Sequence, residues 1–195
     1  MRIGYSVEGS TDRALIKGLR TRWCPKADEP EEGKFRGATG LSRRREMRQI
    51  CLELSIKSAD LIIFLADSNN DDPNAWRNVQ REEEARIPSE YKHLTLVGVC
   101  HRNVECWFCT DAEWLSQVTG GTGSAFRVAD PKNAFESAMQ ISCRDRKEKE
   151  IADLVQIAPL HRWLQNRSFE HFFERLWEKS KQLGCSFENI RERHS

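Results

Sequence analysis

The stretch VEGSTD, residues 7–12, leaves a short apolar segment and places Glu8, a glycine and then Asp12 where a helical pattern begins. Carboxylates four residues apart on a first helical turn share one face, because the helix turns once in about 3.6 residues. Two such groups can hold a divalent cation between them. The same letters have a plainer reading, in which Ser10 or Thr11 caps the helix and the acids complement its dipole. Taken alone, EGxxD favours the plainer reading, so the rest of the chain has to decide.

More carboxylates follow at comparable places. The run LIIFLA, residues 61–66, ends on Asp67, with Asp71 and Asp72 just beyond, and LTLVGVC, residues 94–100, leads into HRNVECWFCTD with Glu105 and Asp111. In open parallel sheets, functional groups collect at the carboxyl ends of the strands. Glu8 and Asp67 both stand at such ends. Magnesium and manganese take oxygen ligands, and two-metal sites use several carboxylates to clamp the attacking and leaving oxygens of a phosphodiester. Each acid also has a structural alternative: SNNDDP as an Asx-rich turn, Glu105 as a helix cap, Asp111 as a solvated charge. Their joint placement favours a metal site.

The elements that must position these acids are an alternation of strands and helices. Residues 2–7, 61–66 and 94–100 have strand character, the last two as nearly continuous apolar runs that suit strands covered on both faces. Amphipathic patterns separate them: a first helix over 11–23, and a second capped by Ser42 that buries Met47, Ile50, Cys51 and Leu54. This order argues an α/β fold with a mainly parallel sheet. PKADEPEEGKFRGATG, between the two helices, reads as a polar loop, and GGTGS as a flexible connection without the lysine of a phosphate loop. From about residue 130 the pattern is helical. In SFEHFFERLW, with Ser168 as cap, the stripe of Phe169, Phe172, Phe173 and Trp177 is either core or a face for a partner.

A chain of 195 residues fits one domain, residues 1–195, with 130–195 as its helical portion. The 31 Lys and Arg against 30 Asp and Glu leave a net charge of +1, so no global basic field draws in nucleic acid and a local patch or bound cations must do so. Arg43, Arg44, Arg45 and Arg48 are the candidate patch, with a solvated helix face as the alternative, and Lys132 is a second candidate phosphate contact. MRIGYSVEGS holds no long apolar signal region and no run approaches the roughly 18 apolar residues of a membrane span, so a soluble, cytoplasmic protein with no membrane partner is expected. Seven cysteines, an odd number scattered through apparent core segments, fit reduced thiols. The one CxxC, Cys106 to Cys109, lacks the second pair that a zinc site needs.

In order along the chain, VEGSTD, LIIFLAD, VECWFCTD, DPK and SFEHFFERL resemble the Toprim metal-binding core shared by topoisomerases, primases and overcoming-lysogenization-defect nucleases. They resemble more closely a family of small, stand-alone Toprim-like proteins encoded in bacteria beside an ABC-type or SMC-like ATPase of defence loci. The resemblance spans most of the chain. It implies a Toprim-like parallel sheet flanked by helices, Mg2+- or Mn2+-dependent phosphodiester hydrolysis, and Glu8, Asp12 and Asp67 as ligands. Glu105 would complete the metal shell and the catalytic set, with Trp107 packed beneath. Nucleic acid, DNA ahead of RNA, and an ATPase would be the partners, in antiviral defence. One departure stands out: where the family has DxD, this chain has Asp67-Ser68-Asn69, so Asp71 or Asp72 must reach around or the site binds metal less tightly. The alternative is a non-catalytic subunit that binds nucleic acid or regulates the ATPase. A nucleotide-binding α/β module ranks third, because a phosphate loop is missing.

Overall fold

The apolar runs LIIFLA and LTLVGVC form the centre and one edge of a parallel sheet in a computed structural model that describes residues 1–33, 41–120, 130–139 and 148–185, the side chains of 41–44 excepted. The first part alternates β1 (Ile3–Ser6), α1 (Ser10–Trp23), β2 (Glu31–Glu32), α2 (Leu41–Ile56), β3 (Leu61–Asp67), α3 (Ala75–Arg86) and β4 (Thr95–Cys100). Helices α4 (Glu105–Phe108), α5 (Ala112–Thr119), α6 (Pro131–Ala138), α7 (Glu148–Ile157), α8 (Leu160–Trp163) and α9 (Arg167–Gln182) follow. Among the described residues the sheet has four strands in the order β2-β1-β3-β4, every pair parallel. Parallel neighbours need crossover connections, and helices supply them. The α/β class and helical C-terminal portion read from the sequence are those of the structure.

The alternation of side chains along a strand divides the core. Ile3, Tyr5, Leu61, Ile63, Leu65, Leu96 and Cys100 belong to a cluster shared with α1 and the C-terminal helices, whereas Ile62, Phe64, Val97 and Val99 pack with Met47, Ile50 and Leu54 of α2 and with Trp76 of α3. Both faces are covered, which is why these strands read as unbroken apolar runs. The same period of two puts Asp67, two residues past Leu65, on the α1 side.

The aromatic stripe of α9 is core. Phe169 and Phe172 are fully buried and Phe173 nearly so, with Trp107 of α4 stacked 5.3 Å from Phe172 and edge-on 5.1 Å from Phe169. Trp177 packs partly buried at the margin. The docking alternative for this stripe is thereby removed.

Helices α1 and α7 approach through Gly18. A Cβ there would lie 2.5 Å from the Ala152 carbonyl oxygen and 2.6 Å from the Val155 Cβ, atoms that cannot yield without moving the backbone of α7. Gly18→Ala gains helix propensity of under about 1 kcal/mol, and the overpacking outweighs it. We expect a net loss of about 2 kcal/mol in urea unfolding; an unchanged midpoint would mean that α7 shifts freely.

Several details correct the sequence reading. Glu31 and Glu32 lie within the stretch read as a loop, yet form β2 on the edge of β1, pinned by an Arg13–Glu32 ion pair of 2.8 Å. Arg13 also pairs with Glu148 at 3.1 Å, tying this edge to α7. The caps differ as well: α2 begins one residue before Ser42, and Asn166, not Ser168, caps α9 by accepting from the Ser168 amide. Cys24 and Cys185 form a disulfide between the end of α1 and the end of α9, against the expectation of reduced thiols throughout. Cys51, Cys100, Cys106 and Cys109 are free and buried. Among the described residues no helix is long and apolar enough to cross a membrane.

Candidate metal centre

Asp12 and Asp67 converge. One ligand atom from each of Asp12, Asp67 and Cys100 lies within 4.8 Å of the other two, at the carboxyl ends of β3 and β4 and the first turn of α1. Asp12 is 4% exposed and Glu105, opening α4, is equally buried. The chain enters α1 by a bend at Glu8 and Gly9, so Glu8 is not on the helix. It is exposed and stands outside the group of converging ligand atoms, near enough for its charge to act on Asp12 and Asp67, so the expected shared helical face is not formed.

Neither Ser10 nor Thr11 caps α1, whose N-cap is Gly9; Asp12 serves both the helix end and the acid cluster. Its Oδ2 accepts from the Gly9 amide at 2.8 Å, closing the helix N-terminus, while its carboxyl is buried beside Asp67. Burial pushes its pKa well above the carboxylate range, and the nearby charge of Glu105 and, less strongly, of Glu8 pushes the same way. Asp67 is raised by burial first, then by the charges of Asp12, Glu8 and Glu105. Its Oδ1 is buried without a hydrogen-bond partner. Cys100, fully buried, is held as the neutral thiol by burial first and then by the charges of Asp67 and Asp12.

Two acidic oxygens brought together, one unsatisfied, with two more acids within electrostatic reach, is an arrangement that costs free energy unless protons or a cation neutralise it. Oxygen donors fit a hard divalent cation such as Mg2+ or Mn2+. A neutral thiol does not, so Cys100 is a wall of the site. The sequence offered Cys100 only as core; its position at the end of β4, in the same parity as Asp67, is the signal that would have placed it.

The other expected site residues lie elsewhere. Asp71, 83% exposed, does not join the cluster: Arg102 Nε donates to its Oδ1 at 2.5 Å. Asp72 is exposed and accepts from the Asn74 amide at 2.9 Å. Neither supplies the charge missing at Asn69, which sits exposed in a left-handed conformation with φ 48°. Asp111 caps α5 through the Trp114 amide and pairs with Arg162 at 3.1 Å, a structural part and not a rim acid. DPK is a helix start, with Asp130 accepting from Asn133 and Lys132 exposed. The side chains of Arg43 and Arg44 lie outside the described residues; Arg45 is exposed, and Arg48 is 3.5 Å from Glu90.

The rim is laced together by its backbone. Ser68 donates to the Cys100 carbonyl at 3.0 Å and Asn69 to that of Arg102 at 2.9 Å, while the Arg102 amide donates to Ser68 Oγ at 2.8 Å. Ser168 Oγ accepts from the His101 amide at 3.0 Å and from Trp107 Nε1 at 2.8 Å, and donates to Asn166 at 2.8 Å. One buried hydroxyl thus joins the end of β4, helix α4 and the start of α9, which fixes the helix that carries Glu105.

In comparisons with family models, curated proteins and solved structures, nothing matches the chain.

Proposed function

We propose that the chain is a divalent-cation-dependent nuclease of Toprim type, the effector subunit of an ATPase-containing bacterial defence complex. The observation that carries the catalytic part is the convergence of Asp12 and Asp67, with the Asp67 Oδ1 unsatisfied, at the carboxyl edge of a parallel sheet. The ATPase partner and the defence role rest on the family resemblance alone. Compartment is proposed as cytoplasmic on four buried free thiols, with the Cys24–Cys185 bridge standing on the other side.

In this reading Asp12 and Asp67 would hold Mg2+ or Mn2+, with the buried Glu105 carboxyl nearby but outside the group of converging ligand atoms. A cation bound there would supply Lewis-acid neutralisation of the charge developing on the phosphodiester oxygens. Glu8, the exposed acid, takes the proton from the attacking water at its carboxylate. Trp107 and Ser168 hold α4 so that Glu105 does not swing away.

The non-catalytic alternative has one observation in its favour, the neutral, exposed Asn69 with Asp71 committed to Arg102. The two separate in an assay of single- and double-stranded DNA and RNA with Mn2+, by the chain alone and with the product of the adjacent gene. Cleavage that Glu8→Ala lowers at least about tenfold, as expected for loss of a general base, supports the nuclease. No cleavage in any setting favours the regulatory subunit.

A further inference from the structure

Helices α3 and α9 flank the outer edge of β4 and leave between them an open cleft of about 460 Å³, lined by Trp76, His171, Arg77, Arg81 and Arg167, and three glutamates. We infer that this cleft holds a segment of single-stranded nucleic acid, with Arg77 and Arg81 on its phosphates, and leads it to the acid cluster. The choice of occupant rests on the nuclease reading; the cleft and its charges do not.

Four observations converge on a phosphate-bearing strand. Arg77 and Arg81 are one turn apart on α3 and both exposed, so they present two cations along one line. Among the described residues neither engages a carboxylate: the Arg77 guanidinium lies 5.5 Å from the Trp76 ring centroid, and Arg81 donates to the Asn78 side chain at 2.5 Å. Two glutamates of the walls are paired, Glu84 with Arg175 at 2.5 Å and Glu170 with Arg167 at 2.9 Å, so Arg77 and Arg81 are the cations on offer, and Glu174 lies exposed at the side. Arg77 is also braced from beneath, since Trp76 is nearly buried and its ring lies 5.4 Å from that of His171. Arginines spaced along one wall follow a nucleic-acid backbone, while Trp76, nearly buried, supports Arg77 and His171 and does not stack on bases.

Position supplies the direction. The cleft's upper end is built by the first turns of α3 and α9, and the latter is bonded through Ser168 to the amide of His101, the residue after Cys100. His101 Nε2 is in turn 3.4 Å from the Asp71 carbonyl that leads into α3. The end of the cleft built by Arg167 and Trp76 is thereby tied to the carboxyl end of β4, the strand whose last residue, Cys100, belongs to the acid cluster. An extended peptide is a poorer occupant, because the strand edge it would pair with is closed: Gln80 Nε2 and Arg175 Nη1 both donate to the Val97 carbonyl, at 2.8 and 3.1 Å.

The test is anisotropy titration of a fluorescein-labelled single-stranded oligonucleotide of about 15 nucleotides, in EDTA so that the acid cluster takes no part, with the full chain over a series of salt concentrations. Arg77→Glu/Arg81→Glu should weaken binding at least tenfold. Arg77→Gln/Arg81→Gln, which leaves less repulsion, should weaken it severalfold and flatten the salt slope by about 1.4, or roughly 0.7 per lost phosphate contact. Circular dichroism confirms that each variant is folded. Affinity and slope unchanged in the glutamine variant, a duplex bound more tightly than the single strand, or equal competition by polyglutamate would each overturn the inference. Cleavage with Mn2+ is read separately. Cleavage by wild type with unchanged binding in the variants removes the cleft and keeps the nuclease, whereas lost binding in the variants without any cleavage keeps the cleft and removes the nuclease.

Discussion

Asp67→Asn will abolish metal-dependent cleavage and, in the same protein, make the metal-free chain more stable at pH 8. The two effects share one cause. The Asp67 carboxyl is opposed by burial and by the charges of Asp12, Glu8 and Glu105, and its Oδ1 has no hydrogen-bond partner. The amide keeps the shape and removes the charge, so the repulsion is relieved by on the order of 1–3 kcal/mol. A neutral amide is also a weak ligand, and loss of several kcal/mol of transition-state stabilisation corresponds to a rate decrease of about a thousandfold or more. Urea unfolding in EDTA and a cleavage assay with Mn2+ measure the pair. A variant that is destabilised, or that cleaves normally, contradicts the site. Asp12 offers the contrast: Asp12→Asn keeps an oxygen for the Gly9 amide, whereas Asp12→Ala also loses that N-terminal bond, at a cost of about 1 kcal/mol.

This pattern also explains what was legible in the letters. LIIFLAD and LTLVGVC are readable because a strand buried on both faces must be apolar throughout, and the step of two from Leu65 then puts Asp67 at its end. The bend at Glu8 and Gly9 was not readable, since i,i+4 spacing implies a shared face only if both residues are helical. Glu31–Glu32 gave no strand signal, because a two-residue edge strand needs only backbone pairing with β1 and a partner for its charge, which Arg13 provides. Asp71 looked available because the ion pair that engages it comes from Arg102, beyond the next strand. Local pattern identified the ends of the strands. Which acid turns inward was decided by contacts distant in sequence, as was the Cys24–Cys185 bridge across 161 residues.

The metal-free protein should lose stability as pH rises through neutrality, and a divalent cation should restore it. The folded chain holds protons on Asp12 and Asp67, raised to about 7 and about 8, that the unfolded chain releases near pH 4. Between those values the folded state binds more protons than the unfolded state, so the slope of stability with pH is negative there. The penalty is absent below about pH 4, grows to about pH 8 and is constant beyond. Two groups work against it. His171 is lowered, chiefly by burial and then by Arg175, and Glu148 is lowered by its hydrogen bonds and ion pairs with Lys17 and Arg13 against the opposing effect of its burial; both favour folding more at higher pH. Comparison with Asp67→Asn cancels their contribution and isolates the cluster. In EDTA, the wild-type melting temperature should fall relative to that variant by on the order of 10 °C between pH 5 and pH 8.5, from about 3 kcal/mol of differential protonation. Millimolar Mn2+ at pH 8 should recover most of the difference in wild type and none in the variant, because a cation that binds only the folded state stabilises it by mass action. Parallel profiles for the two proteins in EDTA would mean that Asp12 and Asp67 do not share one buried site.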